Sequence, residues 1–213
     1  MALKKIVLCE GKDDKYVIEN LCGNLDGPYL YECKPLGSVE KLLESISVSL
    51  KAARDEAIIG IVIDADIDLS ARWQSVSSSL IKLGYPDVPK NPEPAGTILN
   101  PQAVPNALLP RVGIWLMPNN RIPGIIEDFL DYLVPKPSPL FDHVINSVDT
   151  IPESEKRFTD LAKPKVLIHT WLAWQERPGC PYGTAILAKF LDPNVPEARA
   201  FIDWLNRLYN ETP

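Results

Sequence analysis

Apolar positions along the first eighty residues alternate between short continuous runs and helical spacing. Lys4 to Cys9 (KKIVLC) is a β-rich run cut off by Glu-Gly and a charged cluster. Asp13 or Asp14 can then cap a helix whose apolar positions are Tyr16, Val17 and Leu21. Tyr29 to Cys33 reads as a strand. Ser38 to Ala53 reads as a helix with Val39, Leu42, Leu43, Ile46 and Leu50 on one face and Ser38 as its cap. Ala57 to Ile63 (AIIGIVI) is a continuous apolar run, expected of a strand covered on both faces. It ends in Asp64-Ala65-Asp66-Ile67-Asp68, and a third helical pattern runs to about Leu83, with Asp68 placed to cap it. Strand and helix in strict alternation predict an α/β fold, a Rossmann-type, mainly parallel sheet flanked by helices.

The pattern then changes. Prolines at 86, 89, 92, 94, 101, 105 and 110 exclude long regular elements from 84–111. This insertion reads either as functional and partner-facing or as a packed surface loop. Gly96 to Leu99 and Val112 to Met117 are short strand candidates on either side of it, plausible antiparallel neighbours. Then NNRIPGIIEDFLDYLV gives a turn and a helix, and helices are expected around 138–147, 153–173, 181–190 and 196–209. The predicted organisation is an α/β core over 1–135 and a helical C-terminal portion, 136–213, packed on it.

Composition narrows the function classes. The 213 residues are 46% hydrophobic, enough for a sizeable core, which argues against disorder. Lys and Arg number 22 against 28 Asp and Glu, a net charge of −6, which argues against a generally basic face coating duplex DNA while allowing a local basic groove. No apolar run approaches a membrane span, and MALKKIVLCEGKDD turns acidic too soon for a signal peptide, so a soluble cytoplasmic protein is expected. Cys9, Cys22, Cys33 and Cys180 form no CxxC pair, and His143 and His169 are the only histidines. The cysteines therefore read as reduced, mostly buried thiols, and any metal as a hard cation held by oxygen.

The carboxylates supply the chemistry. Ligands of parallel α/β sheets bind beyond the carboxyl ends of the strands. Glu10 follows the first strand there; Asp64 and Asp66 follow the third, and strand alternation would orient these two alike. If the strands are neighbours, three acids converge, and an uncompensated cluster calls for a cation or shared protons, with Mg²⁺ the first choice. The competing reading makes Glu10 an ordinary exposed acid and Asp13 a cap or solvated charge.

CEGKDDKYV followed by IGIVIDADID resembles the Toprim domain of topoisomerases, primases and overcoming-lysogenization-defect (OLD) nucleases, which pairs a Glu-Gly after the first strand with an Asp-x-Asp after the third. GIWLMPNNRIPGIIEDFL and KPKVLIHTWLAWQERPGCPYGTAI resemble a small Toprim-related family, extending the likeness over most of the chain. The resemblance implies a Mg²⁺ (or Mn²⁺) site for phosphodiester chemistry on DNA or RNA. It makes Glu10, Asp64 and Asp66 metal ligands, with Glu10 a candidate acid–base. Asp14 stands at the offset of a second acid in OLD-type nucleases, and Glu127 matches an acid at the start of a later helix. Two metals would then be allowed. Glu127 and Asp128 also read as first-turn acids favoured by the helix dipole.

OLD-type sites further include a lysine, for which Lys165 is the candidate. Lys163, Lys165, His169 and Arg177 form the local basic concentration, with Lys165 and His169 on one helix face and Lys163 on another. The alternative is a solvated face beside Trp171 and Trp174, which with Phe201 and Trp204 are spaced as buried packing. An ATPase domain and a nucleophilic tyrosine domain are both missing from the sequence, which disfavours strand passage.

Other classes fit less well. A receiver domain needs a lysine closing the fifth strand, a haloacid-dehalogenase-like phosphatase carries its Asp-x-Asp on the first strand, and a calcium loop needs the missing glycine and closing glutamate. A non-catalytic Toprim-like module working with an ATPase or nucleic-acid-processing partner stays open.

Overall fold

The computed structural model describes residues 3–23, 31–100 and 108–210, with the backbone alone of Asp55. The protein is α/β, as the alternation predicts. Strands β1 (Lys4–Cys9), β2 (Glu32–Pro35), β3 (Ala57–Asp64), β4 (Thr97–Leu99) and β5 (Arg111–Met117) form one sheet in the order β2-β1-β3-β5-β4. β1 is parallel to β2 and β3, and β3 to β5; only β4 is antiparallel, against β5. β1 and β3 are therefore adjacent, parallel neighbours with their carboxyl ends together, as the two apolar runs require. The expected strand at 29–33 begins later and runs to Pro35; positions 29 and 30 lie outside the described residues, as do 101–107 of the proline-rich insertion.

The continuous run in β3 is buried from Ala57 to Ile63 because both sheet faces are covered. On one face, Ile59, Ile61 and Ile63 meet α2 (Val39–Ala53) and α3 (Leu69–Leu83) through Leu42, Ile46, Leu50, Trp73, Val76 and Leu80. Ser38 caps α2 by accepting from the Lys41 N–H, and Asp68 caps α3 by accepting from the Ala71 N–H at 2.9 Å. The other face packs on α1 (Lys12–Gly23), α4 (Ile126–Leu133) and α8 (Pro196–Asn210). There Gly60 and Gly113, paired across β3 and β5, leave the sheet bare beneath α8. A Cβ on Gly113 would come within 2.7 Å of Leu208 Cδ2, so glycine is what lets the helix seat this close. Trp204 then packs against Trp115 with ring centroids 5.6 Å apart.

The remaining helices are α5 (Pro139–Asp149), α6 (Lys163–Ala173) and α7 (Tyr182–Leu187). The helix expected over 153–173 is shorter than predicted. Pro164 is tolerated only in a first turn, so α6 starts at Lys163 behind a 3₁₀ turn at Asp160–Ala162. Trp174 is also corrected: it lies just past the end of α6, is 44% exposed and faces His143, whereas Trp171, Phe201 and Trp204 are buried as expected. The four cysteines are free, Cys9 and Cys33 buried. No described helix is long and apolar enough to cross a membrane.

Candidate active site

The carboxyl ends of β1, β3 and β5 carry the acids. Glu10 leaves the end of β1, where the following turn is latched down by the Leu36 and Gly37 N–H groups donating to the carbonyls of Cys9 and Glu10. Its Oε1 accepts from the backbone N–H of Asp64 at 2.8 Å, so the two strand ends are joined through this side chain. Burial pushes the Glu10 carboxyl up to about 7; the Asp64 N–H opposes the shift, and Asp14 and Asp66 add to it.

Asp14 stands in the first turn of α1. The helix begins at Lys12, before either predicted cap, and Asp14 reaches back to accept from the Gly11 N–H at 3.1 Å. That uses Oδ2; Oδ1 is buried without a partner among the described residues. Burial is the main cause that raises this carboxyl to about 6, with Glu127 and Asp13 adding to it and backbone hydrogen bonds from Asp14 itself and Gly11 opposing. Asp64 as a residue keeps some surface, yet its Oδ1 is sealed and unpartnered as well. Burial drives Asp64 well above the usual carboxylate range, followed by Glu10, Asp14, Glu127 and Asp66. Glu10, Asp14 and Asp64 thus lie at one end of the sheet, where neighbouring acids add to the effect of burial on each.

Asp66 departs from the expected alignment with Asp64. Strand geometry stops at Asp64, Asp66 takes a left-handed backbone (φ 54°), and its N–H donates to the Gly124 carbonyl at 2.9 Å. Its carboxylate is ion-paired with Arg72, one turn into α3, a partner that the sequence pattern did not single out.

Glu127 is delivered by the loop after β5. Asn120 Oδ1 accepts from the Leu116 N–H at 2.7 Å, and Asp128 accepts from the Ile125 N–H at 2.8 Å to start α4. Glu127, next to that cap, is 4% exposed. Its Oε1 accepts from the Tyr182 hydroxyl at 3.0 Å and stands 3.6 Å from Lys165 Nζ. His169 Nε2 lies 2.9 Å from the same hydroxyl. Lys165 and His169 thus share the face their spacing predicts. Lys163 points elsewhere, to an ion pair with Asp149 at 2.5 Å. Tyr182 was not legible as a site residue. Its only signal is a Pro-Tyr-Gly that opens a short helix, and its partner lies 55 positions away.

Charge and unpaired oxygen in this cluster suit a hard cation. Among the described residues, however, no three acid, histidine or cysteine side chains are already grouped so as to hold a metal ion. Glu10 is engaged by the Asp64 N–H and Asp66 by Arg72, and a cation would have to draw them off.

Fold and cluster together define an α/β protein with buried and half-buried carboxylates at the carboxyl edge of a mostly parallel sheet. The chain belongs to the family described as Protein of unknown function (DUF3226), which matches residues 4–210. No curated protein and no solved structure matches it.

Proposed function

We propose that the chain performs divalent-cation-dependent phosphodiester chemistry on nucleic acid from a Toprim-like site. The observation that carries this reading is that Asp14 and Asp64 each bury a carboxylate oxygen that lacks any partner among the described residues, with Glu10 and Glu127 near enough to raise Asp64 further. Folding chains rarely strand such atoms unless something outside the chain satisfies them. Mg²⁺ or Mn²⁺ would be held by Glu10, Asp14, Asp64, Glu127 and, once freed from Arg72, Asp66. Such a cation supplies an activated water and charge for the leaving oxygen. Glu10, if it stays off the cation, keeps the carboxyl that is pushed up to about 7 in the metal-free chain and is then suited to take and return a proton near neutral pH. Lys165, its side chain 55% exposed, can present its ammonium to a phosphate. The setting that suits four free thiols is a reducing one, and we place the chain in the cytoplasm.

The test is incubation of the purified chain with single- and double-stranded DNA and RNA in Mg²⁺ or Mn²⁺. The wild type should cleave at least one of these, chelation should stop it, and Asp64→Ala should abolish turnover in a folded protein. A second reading, a non-catalytic module acting with an ATPase partner, draws on the Arg72 lock on Asp66 and the net charge of −6. Failure to cleave any substrate without a partner would select it.

A further inference from the structure

We propose that Tyr182 is a positioning residue for Glu127, itself oriented by His169, and that the pair reserves the second oxygen of Glu127 for a cation. The inference rests on the functional reading above and deepens it. Glu127 is only 4% exposed, so its polar atoms depend on protein partners, and both of its side-chain contacts with described residues fall on one oxygen. Oε1 receives the Tyr182 hydroxyl at 3.0 Å and the Lys165 ammonium at 3.6 Å, and no hydrogen bond from a described residue reaches Oε2.

The hydrogen count fixes the direction of the chain of bonds. A tyrosine hydroxyl has one hydrogen, and here it goes to Glu127. The 2.9 Å contact with His169 must then run the other way, with Nε2–H donating to the hydroxyl oxygen. His169 is thereby held with its proton on Nε2, donating through Tyr182 toward Glu127. A tyrosine buried for packing alone has no need of this. The ring is 2% exposed and packs at 5.1 Å against the His169 ring, while its hydroxyl is engaged on both sides.

The placement of Tyr182 comes from close helix packing. A Cβ on Gly183 would fall 2.9 Å from the Tyr16 carbonyl, so glycine allows α7 to press against α1, the helix that carries Asp14. The bonds His169 to Tyr182 to Glu127 therefore tie α6 and α7 to α4 beside the acids contributed by α1 and β3. Partners behind a metal ligand commonly act in this way, fixing which oxygen is offered.

The experiment measures Mn²⁺ affinity of the full chain by calorimetry for the wild type, Tyr182→Phe, His169→Gln, His169→Leu and Asp64→Ala. Tyr182→Phe should weaken Mn²⁺ binding about 10- to 100-fold, the usual cost of losing a ligand's supporting partner. His169→Gln, whose amide can still donate to the hydroxyl, should stay close to the wild type, and His169→Leu should fall with Tyr182→Phe. Wild-type affinity in a folded Tyr182→Phe overturns the proposal and leaves the functional reading standing. No Mn²⁺ binding by the wild type, or equal binding by Asp64→Ala, overturns both. Nitrogen NMR of His169 in the metal-free chain is an independent measure should Tyr182→Phe misfold. A proton on Nε2 is expected, and one confined to Nδ1 would defeat the assignment.

Discussion

Glu10 and Asp14 titrate high for the same reason: each is buried at a strand or helix end close to other acids, and backbone N–H groups, with Arg72 beside Glu10, compensate only in part. Their ordinary values in an unfolded chain lie near 4. In the metal-free folded chain they are pushed up to about 7 and about 6, so between those limits the folded state binds more protons than the unfolded one. Their contribution to stability is complete below about 4 and is lost as pH rises toward 7. With chelator present, the melting temperature should therefore fall between pH 5 and pH 8, and Glu10→Gln with Asp14→Asn should flatten that slope. A slope unchanged in the double variant would remove these two groups as its origin. Lys165 makes a different prediction. If it meets developing phosphate charge, Lys165→Ala should lower turnover by more than it weakens substrate binding, costing roughly 3 kcal/mol in the transition state. Lys163, committed to Asp149, is the control. Equal losses in the two variants would mean a diffuse basic surface instead.

At the scale of elements, the sheet is fixed by its central strands and by what they omit. α8 seats on the Gly60–Gly113 pair, and Gly113→Ala would drive a methyl into Leu208 at 2.7 Å. Overpacking of this kind costs about 1–3 kcal/mol, and chemical denaturation should show that loss while leaving the carboxyl edge of the sheet intact. Much of this level could be read in advance. The AIIGIVI run, the Ser38 and Asp68 caps and the strand-end positions of Glu10 and Asp64 follow from local rules, and those rules were obeyed. What escaped depended on distant neighbours. Asp66 looked aligned with Asp64 until the chain turned left-handed to pair with Gly124, and Arg72 then claimed its carboxylate. Trp174 followed the spacing of a core residue, but it falls just past the end of α6, where it is covered only in part, His143 lying against its ring. Tyr182 acquires its role only because α7 can approach α1 across Gly183, which no periodicity announces.

For the whole molecule, the acidic cluster sets stability against the proposed cation binding, and the conflict can be measured. Asp64 is held well above the ordinary carboxylate range by burial and by four neighbouring acids, so ionising it costs the folded state and not the unfolded one. Asn resembles the protonated acid in shape and carries no charge. Metal-free Asp64→Asn should accordingly melt above the metal-free wild type at pH 8, and the gap should close as pH is lowered and the native carboxyl takes up its proton. A cation that binds only the folded chain stabilises it in proportion to RT ln(1 + [L]/Kd), about 2.7 kcal/mol at a hundredfold excess over Kd. Saturating Mg²⁺ should therefore raise the wild-type melting temperature past that of the variant and leave the variant almost unmoved, reversing their order. Thermal scans with Mg²⁺ and with chelator test both halves. A variant less stable than the wild type without metal would show that Asp64 is structural, and an equal Mg²⁺ response in the two proteins would place the cation away from these strands.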